Sequence, residues 1–216
     1  MTSVIAVPAT LNTVGELLQH LGGVPADRVR LHPAPGSATE KDVLEIHARE
    51  KRLCELVDGV LVEKPMGYYE SRLAMLLGHF IQAFLDQHDL GIVAGPDGML
   101  RLAAGLVRIP DVSFVSWTRL PGRRIPRQPI PDLVPDLAVE VLSPGNTERE
   151  MARKLDEYFA AGVRLVWFVD PSARTVVVYT SPGESVVLGA NDVLEGVPVL
   201  PGFSLAVNKL IEQPAP

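Results

Sequence analysis

Apolar and polar positions along the chain follow distinct rhythms, and each rhythm predicts an element. From Tyr68 to about Gln87, the residues Leu73, Leu76, Leu77, Phe80, Ile81, Phe84 and Leu85 recur at three- and four-residue spacing, the stripe of a long amphipathic helix. Just before it, Leu53-Cys54-Glu55-Leu56-Val57 and Val60-Leu61-Val62-Glu63 flank Asp58-Gly59. Two apolar runs around Asp-Gly predict a hairpin, because both turn residues must tolerate positive φ. Residues 108–115 and 135–144 read as mostly apolar strands, each carrying a carboxylate: Asp111 at the entry of one, Glu140 deep in the other. A helix follows the second, capped by Asn146 or Thr147, with Thr147-x-x-Glu150 as a capping box and Gly162 as its C-terminal stop. Strands at 164–169 and 175–180 come next, then short strands and a brief terminal helix over 185–211. This order of helices and strands predicts an α/β (α+β) architecture with a central mixed β-sheet flanked by helices.

The first fifty residues have a different texture. A short helix over 14–21, the stiff link Pro33-Ala34-Pro35-Gly36, and a second helix starting at Thr39 with Glu40 and Asp42 in its first turn suggest a helical arm. The division expected is 1–50 as an N-terminal helical extension packed on the core, a lid or packing arm, and 51–216 as the main domain.

Composition alters this picture little. The chain has 47% hydrophobic and 21% charged residues, which allows a core of normal size, and a formal charge of −6. Proteins that coat nucleic acid without specificity usually carry a broad basic face, so that class is disfavoured; a metal-dependent nuclease, whose site concentrates carboxylates, is not. Cys54 is the single cysteine, which excludes an internal disulfide and a thiolate cluster within one chain. No stretch approaches the roughly 18 apolar residues of a membrane span, and the first eight residues lack a secretory leader's pattern, so the location expected is cytoplasmic, with no membrane.

The candidate chemistry lies in the two acidic strands. A lone charge buried in a strand is costly and normally has a partner, of which a divalent cation is one. Phosphodiester hydrolysis needs a cation beside the scissile phosphate, and hard Mg²⁺ takes oxygen ligands while keeping several waters. Asp111 and Glu140 supply two carboxylates, and the Val141 carbonyl is a natural third ligand. Glu140 shares a strand face with Ala138 and Leu142, where the plain alternative is a salt bridge to Arg108 or Arg164. Lys154 shares a helix face with Met151, Leu155 and Tyr158, so it points at the sheet, either to orient a water or to snorkel and pair with Glu150. Glu70 stands in the first turn of the long helix, either reaching the metal's waters or only complementing the helix dipole. Between the acidic strands lies a proline-rich loop carrying Arg119, Arg123, Arg124 and Arg127, suited to DNA phosphates or else simply solvated. His20, His32, His47, His79 and His88 lack ligand spacing, and His79 sits among apolar residues as a core histidine would.

In combination, Arg-Ile-Pro-Asp111-Val-Ser-Phe, Asp-Leu-Ala-Val-Glu140-Val-Leu-Ser-Pro, Lys154-x-x-x-Tyr158, the Glu55-Leu-Val-Asp-Gly hairpin and Ala161-Gly-Val-Arg-Leu-Val-Trp-Phe-Val-Asp-Pro171 resemble the Uma-two restriction-endonuclease family of the PD-(D/E)xK nuclease superfamily, over roughly residues 39–205. The resemblance implies a restriction-endonuclease-like core and divalent-metal hydrolysis of DNA. It maps Asp111 onto the superfamily aspartate and Glu140 onto the (D/E) position, with Glu70 as an auxiliary acid. The lysine two residues after Glu140 is missing, Leu142 standing there, and the resemblance implies that Lys154 replaces it. The expectation is therefore a Mg²⁺- or Mn²⁺-dependent endonuclease with Asp111, Glu140 and Lys154 as catalytic groups and Tyr158 and Ser143 beside them. A homodimer is expected because cutting both strands pairs two sites. The rival is a non-catalytic DNA-binding or assembly module on the same fold; a hydrolase of smaller phosphoesters is a third reading.

Overall fold

The computed structural model describes residues 11–65 and 67–211. The leader-free N-terminus expected over the first eight residues lies outside that range, as do both extreme ends of the two expected segments. In chain order the elements are α1 (Val14–His20), α2 (Glu40–Glu50), β1 (Cys54–Val57), β2 (Val60–Glu63), α3 (Tyr68–Leu85), β3 (Gly91–Ala94), β4 (Leu100–Ala103), β5 (Leu106–Arg108), β6 (Val112–Ser116) and β7 (Leu137–Val141). There follow α4 (Glu148–Ala161), β8 (Leu165–Asp170), β9 (Thr175–Ser181), β10 (Glu184–Leu188), β11 (Val193–Glu195), β12 (Ser204–Ala206) and α5 (Val207–Ile211).

The central sheet runs β10-β9-β8-β7-β6-β3, and only the β7–β8 pair is parallel, so the sheet is mixed as expected. A second, antiparallel sheet runs β2-β1-β5-β4. The α3 stripe packs on one face of the central sheet, burying Leu73, Leu77 and Ile81 against Val112, Phe114, Leu137, Val139 and Trp167. Each such side chain contributes about 1.5–3 kcal/mol on burial. Differences in helix propensity among ordinary residues stay below about 1 kcal/mol, so packing rather than propensity fixes α3. His79 departs from the expectation: it lies on the exposed arc of α3, not in the core.

The opposite face of the central sheet is covered by α4, whose Met151, Leu155 and Tyr158 meet Ala138, Val166 and Phe168 on one side and Leu100 and Leu102 of β4 on the other. α4 is thus held between the two sheets. Its first turn is capped by Thr147, whose Oγ1 accepts from the Glu150 amide at 3.1 Å. The expected capping box is only half formed, because the Glu150 carboxylate turns to Arg28 instead, with contacts of 2.7 and 2.9 Å. The full box forms on α2, between Thr39 and Asp42.

The arm packs on the second sheet, with Leu17 and Leu21 on Val57, Val60 and Val62 and with Val43 and Ile46 on Leu56 and Val107, and its polar groups reach α4. Arg28 also donates to the carbonyls of Glu63 and Gly145, and Thr147 donates to the Gly22 carbonyl at 2.6 Å. Gly22, at φ +89°, lies so close to α4 that an added Cβ would stand 2.7 Å from the Glu150 backbone. In the hairpin, Asp58 and Gly59 take φ of 51° and 72°, the double positive turn that Asp-Gly signals.

Candidate active site

Strand register brings the two acidic residues together. β6 and β7 pair antiparallel with Val112 opposite Val139, and the Asp111 amide donates to the Val139 carbonyl at 2.9 Å. The ladder ends at Val112, and Asp111, just outside β6, accepts from the Val141 amide through Oδ2, so it holds the β7 backbone on either side of Glu140. Val139 and Val141 face α3, so by alternation Glu140 faces α4. The Asp111 charge lies near enough to raise Glu140, so the pair needs cations.

Lysines supply them. Lys154, 1% exposed, reaches both oxygens of Glu140 at 3.2 Å and Oε1 of Glu55 at 3.2 Å. Tyr158 donates its hydroxyl to Glu140 Oε1 at 2.6 Å. Lys64 forms a 2.8 Å ion pair with Asp111 Oδ1, while Asp111 Oδ2 accepts from the Val141 amide at 2.7 Å. The Glu140 side chain is therefore neither paired with Arg108 nor with Arg164: Arg108 joins Glu55, at 2.7 Å, to Glu157, and Arg164 leans toward Asp136. Glu55 also accepts from the Ile109 amide at 3.2 Å. The result is a largely buried lattice of four acids (Glu55, Asp111, Glu140, Glu157) and three bases (Lys64, Lys154, Arg108), contributed by both sheets and α4.

Burial and charge pull these groups in different directions. Burial alone would raise Glu55, but Lys154 and Arg108 beside it prevail and hold its carboxyl down at about 2. Glu140 goes the other way: burial, with Asp111 and Glu55 adding negative charge nearby, outweighs Lys154 and raises it. Burial would lower Lys154, yet Glu140 and Glu55 raise it, so its ammonium is firmly charged. Tyr158 is raised by burial and by Glu140 and stays a hydrogen-bond donor. For stability the sign follows from Glu55: its depressed value stabilises the fold above the ordinary 4.5, and that contribution is lost as pH falls from 4.5 toward about 2. At 1.36 kcal/mol per unit this amounts to about 3 kcal/mol. Denaturant titrations across that window should show wild type losing about this much relative to Glu55→Gln; a constant difference between the two proteins would refute the assignment.

The other expected residues are placed as follows. Glu70 is curled back over Gly67 at the start of its own helix, its Oε2 lying 1.9 Å from where a Gly67 Cβ would be. Ser143 uses its amide and hydroxyl to hold Asn146 Oδ1, at 3.0 and 3.1 Å, in the turn leading to α4. Arg119 is bound to Asp136 and the Gly162 carbonyl, and Arg123 pairs with Asp89 at 2.6 Å over the Trp117 ring. Arg124 and Arg127 are exposed. The arginine loop leaves β6 at the end opposite Asp111, and five strand steps at about 3.4 Å each put about 17 Å between them. Glu55, Arg108 and Lys64 are the additions that the structure makes. A cavity of about 680 Å³ beside the start of α4 is lined by Ser143, Met151, Phe168, Asp170 and Tyr179 among others, by no lysine or arginine, and by none of Asp111, Glu140 and Lys154.

The family model for Uma2, described as "Putative restriction endonuclease", matches residues 41–208. The chain belongs to the Uma2 family. A crystal structure described as "a putative nuclease belonging to DUF820 from Anabaena variabilis ATCC 29413" superposes with a TM-score of 0.66 at 20% identity, covering 74% of this chain and 90% of that one. That likeness bears on fold, and it gives this Uma2 member the restriction-endonuclease-like core of a mixed sheet between helices. No curated protein matches the chain. Family and fold together support a nuclease at a general level. No described helix is long and apolar enough to cross a membrane.

Proposed function

We propose that this Uma2 protein is a divalent-metal-dependent endonuclease that hydrolyses DNA phosphodiester bonds in the cytoplasm, with Asp111 and Glu140 as ligands of Mg²⁺ or Mn²⁺. The observation that carries the reading is the pairing of Asp111 with the Val139 and Val141 backbone on either side of Glu140, whose own carboxylate Lys154 and Tyr158 hold. The donor set suits the ion: both side chains offer hard oxygens, and a carboxylate with one or two donors on it keeps lone pairs to spare. Bound there, the ion would polarise the phosphate and make a water nucleophilic at neutral pH.

The chain's own groups do the rest. The Tyr158 hydroxyl fixes one oxygen of Glu140 and thereby the direction of the other. Lys154 keeps positive charge against Glu140 where the attacking water and the phosphate's growing charge are to be accommodated. The Val141 backbone, turned toward Asp111, is in place to offer its carbonyl as a third ligand. Glu70 takes at most an outer role through water, and Ser143 shapes the turn that starts α4. Arg124 and Arg127 remain free to meet the DNA backbone to the side of the scissile phosphate, with Arg119 and Arg123 bracing their loop. A homodimer would give one site to each strand.

Plasmid nicking in Mn²⁺ by wild type and by Asp111→Asn tests the reading. Nicking by wild type that is absent in the variant supports it; equal nicking by both removes Asp111 from the chemistry. One observation favours the rival, a DNA-binding or assembly module without catalysis: no group of three or more His, Cys, Asp and Glu residues poised to hold a metal occurs among the described residues. DNA retention by wild type without nicking, lost in Arg124→Ala/Arg127→Ala, is the outcome that reading requires.

A further inference from the structure

Lys64 is a member of the lattice that the proposed chemistry leaves unused, and its surroundings are those of a cation site. Its ammonium is met by three oxygens: Asp111 Oδ1 at 2.8 Å, the Ile109 carbonyl at 2.7 Å and the Pro96 carbonyl at 3.1 Å. Three acceptors satisfy all three ammonium protons. The backbone at this position is anchored, since the Lys64 amide donates to the Leu53 carbonyl at 2.9 Å and Pro65 restricts the residue before it. The four-carbon stem is the part that can move.

Charge counting gives the stem a reason to move. With Glu157, which Arg108 also holds, the lattice sets four acids against three bases, in a region where an excess charge is expensive. A divalent ion at Asp111 and Glu140 turns that one negative excess into a positive one unless a base leaves. Lys154 is wedged between Glu140 and Glu55 and Arg108 bridges Glu55 and Glu157, whereas Lys64 touches a single carboxylate. Lys64 also borders a second cavity, of about 380 Å³, lined by Glu63 and Asp97 among others. Asp97 is exposed, so it can accept an ammonium without having to give up burial.

Building on the metal-dependent reading above, we infer that Lys64 is a displaceable occupant of the metal site: its ammonium holds the Asp111 carboxylate in the absence of metal and swings toward Asp97 when a divalent ion binds. The lysine thereby keeps the acidic pair folded and closed until the ion arrives, and sets the ion concentration at which the site fills. It is a positioning residue and touches no substrate.

Calorimetric titration of the full chain with MnCl₂, for wild type, Lys64→Met and Lys64→Met/Asp111→Asn, tests this. Lys64→Met should bind Mn²⁺ about tenfold or more tightly than wild type, and the added Asp111→Asn should abolish the gain. Equal or weaker binding by Lys64→Met would overturn the inference and leave the metal-dependent reading standing. Absence of Mn²⁺ binding in both proteins would overturn the two together. Should the methionine variant not fold, wild type decides: with an amine-acylating reagent read out by mass spectrometry, Lys64 should be protected without metal and modified several-fold faster with saturating MnCl₂, while Lys154 stays unmodified in both. Protection of Lys64 unchanged by bound Mn²⁺ would sink the displacement.

Discussion

Glu140→Gln is expected to remove metal-dependent strand cleavage without weakening the fold. The loss should be on the order of a hundred- to a thousandfold, the range seen when one group that stabilises transition-state charge is removed. Glu140 is held above the ordinary carboxylate value by burial and by its acidic neighbours, so its charged form at neutral pH is a burden on the folded state. A glutamine resembles the neutral form, keeps a carbonyl for the Tyr158 hydroxyl, and leaves Lys154 paired with Glu55. The melting temperature should therefore be unchanged or higher, the trade expected of a residue kept for chemistry rather than stability. A variant that melts well below wild type would mean that Glu140 is a structural anchor, and retention of full cleavage would remove it from the active site.

Arg108→Met should do the reverse. Arg108 is 3% exposed and ties Glu55 to Glu157, so truncation strips a cation from each and leaves Glu55 to Lys154 and Glu157 to Arg153 alone. Breaking one partner out of a buried ion pair costs about 3–5 kcal/mol. Urea unfolding should show a free energy lowered by that amount, seen as a lower midpoint with an unchanged slope; a loss below about 1 kcal/mol would show that water reaches the cluster and screens it. Adding Glu55→Gln to Arg108→Met should recover part of the loss, because it removes one of the two carboxylates that lost a partner.

The two variants mark what could be seen in the chain and what could not. Asp111, Glu140 and Lys154 were legible because a charge inside an apolar strand, or on the apolar face of a helix, violates its local pattern. Glu55 offered the same violation but was absorbed by the Asp-Gly hairpin around it. Only the second sheet, which buries all four residues of β1, shows that this carboxylate has no route to solvent. Lys64 had no local signal at all: it stands just past β2 beside a proline, and two of its three partners are backbone carbonyls. Two arginines of the loop had partners that no local pattern announces, since Asp89 and Asp136, which claim Arg123 and Arg119, lie 34 and 17 residues away. His79 shows the limit of periodicity, which locates a helix more surely than it says which arc faces outward.

The arm that grips α4 carries a consequence for where this protein can be cut. The segment matched by the family model starts at residue 41, inside α2, yet Arg28 lies upstream of it and neutralises Glu150, which is 2% exposed on the helix that delivers Lys154. A fragment trimmed to the matched boundaries would keep every proposed catalytic group and still strand a buried carboxylate four residues before Lys154. A fragment that begins upstream of Arg28 is therefore expected to be the more stable of the two, because it keeps the guanidinium that neutralises Glu150.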